Sequence, residues 1–147
     1  MFYYVLLITG LILIDQFIKH WVSINIAFNS IHHVIPGLLN LTKIHNNGAA
    51  WSLFSGQINL LSVISIIMTI ILVIYLWKFR KRFLYALNIS LMLSGAISNL
   101  IDRLLHKYVI DMFQFAFLPN FPISNFADWC LSIGTIGLII IIILDKD

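Results

Sequence analysis

Two aspartates, Asp111 and Asp128, are the residues of this sequence best placed to do chemistry. The chain has six acidic residues and no glutamate. Asp111 precedes the last long apolar run, Asp128 lies just inside its start, and a short aromatic, proline-bearing connection separates them. Carboxylates at the rim of a membrane span are costly, so they are functional candidates by default. Close carboxylates can share one proton, because like charges a few ångströms apart do not both ionise easily. The ionised member takes a proton from water. The protonated member polarises a carbonyl and later donates to the leaving amine. This is peptide hydrolysis with neither a metal nor a covalent intermediate. Such a pair titrates as a unit, so the sequence does not assign base to one residue and acid to the other.

Competing chemistries have weaker signals. No HExxH or GxSxG pattern is present. The histidines at 20, 32, 33, 45 and 106 are scattered, and His32 and His33 fall in a predicted strand, so neither a metal nor a cofactor is expected. A Cys130–His106 nucleophile pair is conceivable, but Cys130 falls inside a span and nothing visibly orients the imidazole. Asp128 also has a purely structural reading. Asn125 would N-cap the last helix, with Asp128 three residues on closing a capping box.

The elements that must hold these residues follow from composition. The chain has 147 residues, 61% hydrophobic and 10% charged, where a soluble domain carries about a quarter charged. Mean hydropathy is +0.98. The expectation is one integral membrane domain over 1–147, with spans at about 2–22, 58–77, 83–105 and 125–144. The first run, FYYVLLITGLILI, lacks the basic start and small-residue cleavage site of a removable leader, so it reads as a retained helix. Asp15 and Lys19 near its end are spaced for an ion pair, with Asp15 equally a candidate for substrate contact. In the third span Gly95, Asn99 and Asp102 or Arg103 share a face, and Ser94, Gly95, Ala96 and Ser98 allow close packing. Asp102 reads there as a structural acid.

The net charge of +3 does not imply nucleic acid, because Lys78, Arg80, Lys81 and Arg82 form one cluster between spans. By the positive-inside rule, 78–82 is a cytoplasmic loop, both termini are cytoplasmic, and 23–57 and 106–124 are external. The single cysteine excludes an internal disulfide. Within 23–57, HHVIPGLLNLTKI reads as short strands broken at Pro36-Gly37. The following HNNGAAWSLFSG reads as an ordinary turn on spacing alone. Its functional alternative is a cleft wall with Ala49, Ala50 and Trp51, where Asn46 hydrogen-bonds a peptide. The unusual polar groups, Asp15, Asn46, Asn99, Asp102, Arg103, Asp111, Asn125 and Asp128, all fall near external helix ends. Residues alone favour an enzyme and a proton-coupled transporter about equally, since intramembrane acids serve both. A transporter would place acids nearer the midplane and often show internal repeats, of which none is visible. A packing scaffold is a third reading.

DQFIK at 15–19, NNGAAW at 46–51, SGAISNLIDR at 94–103, VIDMF at 109–113 and SNFAD at 124–128 together resemble the lipoprotein (type II) signal peptidases of bacteria, in the family's order and spacing. The resemblance spans nearly the whole chain. It implies a four-helix membrane bundle with a small extracytoplasmic β-rich cradle and a short covering helix. It implies a membrane aspartic endopeptidase that cuts prolipoproteins just before the diacylglyceryl-modified cysteine, at the outer face of the cytoplasmic membrane. The catalytic aspartates would be Asp111 and Asp128, supported by Asp15, Asn46, Asn99, Arg103 and Asn125, with Asp102 and Lys19 structural. The implied partners are diacylglyceryl-modified prolipoproteins, membrane lipid and the inhibitor globomycin, bound by a monomer. Trp51, Ser94, Ser98 and Ser124 depart from the family's usual residues and leave the aspartate pair intact.

Overall fold

The computed structural model describes residues 1–48 and 53–144. The stretch Ala49, Ala50 and Trp51, read as a possible cleft wall, and the tail at 145–147 lie outside the described residues. In chain order the elements are α1 (Phe2–Asn25), β1 (His32–Ile35), β2 (Leu39–Asn46), α2 (Ile58–Phe79), α3 (Phe83–His106), β3 (Val109–Phe115) and α4 (Phe126–Leu144). All four helices are long and apolar enough to cross a membrane. The expected bundle with a small β cradle is therefore what forms. Of the short helix expected beside it, the described part, 53–56, is a turn.

α3 is the centre of the bundle. It packs against α1, α2, α4 and β3, while α2 and α4 share no packed interface among the described residues. Its sequence explains this position. Buried Ala86, Ser90, Ser94, Gly95, Ala96 and Ser98 let other backbones approach. A Cβ on Gly95 would run into the carbonyl oxygen of Ala127, and one on Gly134 would lie 2.6 Å from that of Asn88. α3 and α4 are thus in near-backbone contact. The hydroxyl of Ser90 donates back to the Ala86 carbonyl at 2.7 Å, so its polarity is spent within the helix. Ile8, Leu72, Leu76, Ala86, Ile89 and Leu93 form the apolar core at the end bearing the basic 80–82 turn. The outward faces of α1, α2 and α4 remain apolar, as hydrocarbon solvent requires: Phe17 is 70% exposed and Ile74 59%.

The other end is capped by an antiparallel sheet in the order β1-β2-β3. Pro36 and Gly37, with φ at +72°, turn β1 into β2. β3 follows α3 directly because Lys107 takes a left-handed C-cap, φ +65°, and its N–H returns to the Arg103 carbonyl. Val22 and Ile26 of the α1 end pack against Ile110 and Met112 of β3, so the sheet is seated on the bundle. Residues 109–115, expected as part of an external loop, are thus a strand. The first four of them are buried on both faces, which removes the alternation that would have announced it.

Candidate active site

Asp111 is carried on β3 and Asp128 on the first turn of α4. The pairing of Ile44 with Asp111 and of Asn46 with Val109 brings the Asn46 side chain beside Asp111. Ser124 pairs with Phe113, its N–H donating to the Phe113 carbonyl at 3.0 Å and its carbonyl accepting from Phe113 at 2.8 Å. This clamp sets the start of α4 against β3. Asn125, the next residue, then lies between the two aspartates. Its backbone N–H donates to Asp128 Oδ2 at 3.1 Å, and the Asp128 N–H donates to Asn125 Oδ1 at 2.9 Å. The capping box exists, and it also aims Asp128.

Three amides define the carboxylates. Asn46 Nδ2 donates to Asp111 Oδ2 at 2.9 Å, while its Oδ1 accepts from the Gly48 N–H at 2.9 Å. Asn125 Nδ2 donates to Asp111 Oδ1 at 2.7 Å and to Asn99 Oδ1 at 3.1 Å. Asn99 Nδ2 donates to Asp128 Oδ1 at 2.8 Å. Lys19 Nζ donates to Asn99 Oδ1 at 2.9 Å. An ammonium only donates, so Asn99 must turn its oxygen toward Lys19 and its amino group toward Asp128.

Behind this layer lies a buried ion cluster. Lys19 Nζ is 2.8 Å from Asp15 Oδ2 and 2.8 Å from Asp102 Oδ2. Asp15 also accepts from Ser98 Oγ at 2.6 Å and from the Ala127 N–H at 2.8 Å, tying α1 to α3 and α4. Asp102 accepts from Gln16 Nε2 at 2.9 Å and from the Ile110 N–H at 3.4 Å, tying α3 to α1 and β3. Lys19, Asp15 and Asp102 are each 1% exposed. Asp15 is thus paired inside the bundle and is not among the residues that line the cavity beside the aspartates. Gln16 and Ser98 belong to the cluster although nothing in their spacing singled them out. Both side chains are too ordinary in a helix for sequence to mark them.

A cavity of about 630 Å³ opens on this layer. Asn46, Asn99, Arg103, Asp111 and Asp128 line its polar end, and Ile64, Met68, Leu72, Met92, Ala96 and Leu131 its apolar end. Asn125 is fully buried behind them. Asp102 and Arg103, which spacing could not separate, point apart: Asp102 turns inward to Lys19, whereas Arg103 faces the cavity and donates Nη1 to Ser65 Oγ at 3.3 Å. Arg103 Nε is buried with no hydrogen-bond partner among the described residues. Burial, and then the charge of Asp128, push the Asp111 carboxyl up to about 7, against the pull of its two amide donors. An acid of that strength is half protonated near neutrality, as a shared-proton pair requires. Cys130 is buried beside Ser94 on the α3 side of α4, and His106 flanks Tyr108 at 5.8 Å, so the two do not form a nucleophile pair.

Comparison with known proteins gives a consistent result. Residues 7–144 match a family model described as Signal peptidase (SPase) II. The chain is 45% identical over 145 residues to the Lipoprotein signal peptidase of Lactiplantibacillus plantarum, covering 99% of this chain and 97% of the relative. It is 40% identical over 144 residues to that of Enterococcus faecalis, covering 97% and 89%. Among solved structures it is similar to a bacterial membrane enzyme determined by the in meso method at 2.3 Å, with a TM-score of 0.94, 34% identity, and coverage of 100% of this chain and 91% of that one. A second in meso structure of a bacterial membrane enzyme, at 1.9 Å, matches with a TM-score of 0.89 and 35% identity, covering 100% and 96%.

Proposed function

We propose, for a chain that belongs to the signal peptidase II family, that Asp111 and Asp128 are its catalytic pair and that they cleave by activating water. The chain is a multi-pass membrane peptidase that removes signal peptides from prolipoproteins. The observation that carries the proposal is the convergence of three asparagine amides on these two carboxylates at the polar end of one cavity.

With one proton on the pair, the ionised carboxylate accepts a proton from a water between the aspartates and the scissile carbonyl. The water oxygen bonds to the carbonyl carbon as the protonated carboxyl gives its proton to the carbonyl oxygen. The resulting diol collapses: one of its hydroxyls returns a proton to the carboxylate that had donated, the C–N bond breaks, and the proton taken from water passes to the leaving amine, which restores the singly protonated pair. The amides of Asn46, Asn99 and Asn125 hold both carboxylates in place throughout. Arg103, whose Nε has no partner among the described residues, donates to a carbonyl of the bound peptide. The diacylglyceryl group on the cysteine after the cleaved bond lies in the apolar end of the cavity. A globomycin-type cyclic peptide would occupy the same volume.

The aspartates sit at the outer face of the cytoplasmic membrane and both termini are cytoplasmic. The basic 80–82 turn lies at the opposite end of α3, and from Phe83 to Asn99 the helix rises about 24 Å, most of a hydrocarbon thickness. All the site residues come from one chain, which supports a working monomer.

The test is cleavage of a diacylglyceryl-modified prolipoprotein peptide by purified protein, with and without a chelator. Asp111→Asn and Asp128→Asn should each lower kcat by at least about a thousandfold with folding retained, and the chelator should have no effect. Cleavage persisting in both variants would remove the pair from the mechanism.

A further inference from the structure

The site cavity is lined by two hydroxyls that the peptidase layer does not use. Asp111, Asp128, Asn46, Asn99 and Arg103 make up most of its polar lining, and Ser124 Oγ accepts from the Trp129 indole at 3.1 Å. Ser65 on α2 and Ser132 on α4 are left over. Hydroxyls in a membrane helix are usually spent on their own backbone. Those of Ser62, Thr69, Ser90 and Thr135 each donate to the carbonyl four residues earlier, at 2.7–2.8 Å. Ser65 and Ser132 do not follow them. Ser65 Oγ accepts from Arg103 Nη1 at 3.3 Å, and its own proton has no acceptor among the described residues. Ser132 makes no side-chain hydrogen bond among the described residues.

Their places match one ligand chemistry. From Ile58 to Ser65 α2 rises about 10 Å, and from Phe126 to Ser132 α4 rises about 9 Å, so the two hydroxyls sit at similar depth below the starts of their helices. Ser132 is one turn beyond Asp128, about 6 Å along α4. Past Ser65 the cavity face of α2 continues as Met68 and Leu72, and α3 adds Met92 and Ala96. The lining therefore passes from carboxylates, through hydroxyls with a proton to give, to hydrocarbon. A cysteine carrying a diacylglyceryl group has the same order. Its scissile amide comes first, then two ester carbonyls at a reach of roughly 6–9 Å for bonds of about 1.5 Å, then the acyl chains. An ester carbonyl only accepts, and a hydroxyl donates one proton.

We propose that Ser65 and Ser132 are specificity-determining residues whose hydroxyls donate to the two ester carbonyls of the substrate's diacylglyceryl group. This role rests on the prolipoprotein reading of the cavity and is separate from the assignment of the aspartates. A lipid without those carbonyls leaves both donors unmet in a site shielded from water, and such sites reject analogues that lack the matching group. The esters take no part in the reaction. The contact is therefore made equally in the ground and transition states, and its loss is read in KM.

The experiment compares two prolipoprotein peptides of one sequence, cleaved by the full chain in detergent. One carries a diacylglyceryl group on its cysteine, the other a dialkylglyceryl group of equal chain length, with ethers in place of esters. The unaltered protein should prefer the diacyl peptide by about tenfold or more in kcat/KM. Ser65→Ala and Ser132→Ala should each lower kcat/KM on the diacyl peptide by about fivefold, through KM, and leave the dialkyl peptide within about twofold. The double variant should cleave the two peptides alike. Thr135→Ala, outside the cavity, should keep the preference. Thermal unfolding checks that each variant is folded. Equal cleavage of both peptides by the unaltered protein would overturn the proposal. So would a loss in the serine variants that is the same on both peptides, which would make Ser65 only a support for Arg103 and Ser132 only a packing residue. Failure of the aspartate assignment looks different: Asp111→Asn and Asp128→Asn would still cleave, whatever the ester–ether ratio. Cleavage of neither peptide by the unaltered protein would remove the prolipoprotein reading and this one with it.

Discussion

Lys19 is the residue on which the geometry around both aspartates turns. It fixes the amide of Asn99 and forms ion pairs with both Asp15 and Asp102 in a place where all three are out of reach of water. Removing one member of a buried ion cluster costs about 3–5 kcal/mol, because the partner charges stay buried. Lys19→Met should therefore lower stability by about that much, with a double variant Lys19→Met, Asp15→Asn recovering part of it in thermal unfolding. Asp111 makes a different prediction. Its carboxyl moves from 3.8 to about 7 on folding. The native state thus holds a proton that the unfolded chain has released, so stability declines as pH rises from about 4 to 7 and the penalty persists above that. Asp111→Asn should flatten this slope in denaturation measured across the range. Cleavage should fall above about pH 7 as the pair loses its shared proton. A rate still climbing at about pH 9 would contradict a shared proton.

Among elements, the α3–α4 contact decides whether the site exists. Asn99 on α3 and Asp128 on α4 are joined by one 2.8 Å hydrogen bond, so a displacement of either helix separates them. Gly95 sits against the Ala127 carbonyl, and a Cβ there would also lie 2.8 Å from Leu131 Cγ. Gly95→Ala should cost about 1–3 kcal/mol by forcing the helices apart, and should lower kcat beyond what the stability loss explains. Gly10 on α1 has open space where its Cβ would be, so Gly10→Ala should be neutral or stabilising by about 1 kcal/mol. If both alanines behaved alike in unfolding and turnover, close packing would not be what holds the aspartates.

At the scale of the molecule, α2 and α4 share no packed interface among the described residues, and the site cavity is lined by α2, α3 and α4. On the proposed reading, a lipid-bearing substrate presents its acyl chains to Ile64, Met68 and Leu131 while its peptide meets the aspartates. Met68→Trp should crowd the apolar end and raise KM about tenfold with kcat within about twofold. A fall confined to kcat would place the acyl chains elsewhere. The proposed orientation has its own test. In intact cells a membrane-impermeant thiol reagent should label Leu118→Cys, in the loop beyond β3, and spare Lys81→Cys. The reverse pattern would put the aspartates on the cytoplasmic side.

The sequence by itself determined the class of solvent, the four spans, the basic turn and the short list of polar residues from which the site is drawn. It did so because hydrophobic run length and positive charge are local properties, and because a capping residue meets a partner only three positions away, as Asn125 meets Asp128. It did not show that Asp111 rides on a strand, since β3 is buried on both faces and its pattern loses its period. It did not separate Asp102 from Arg103, since neighbours on a helix differ by about 100° and only the position of α1 says which one faces inward. Gln16 with Ser98, and Arg103 with Ser65, meet across helices. Periodicity tells which side of its own element a residue occupies. Which residue waits on the facing element is decided when α1, α2 and α4 settle on the small-residue surface of α3, and that close packing is a property of the folded bundle alone.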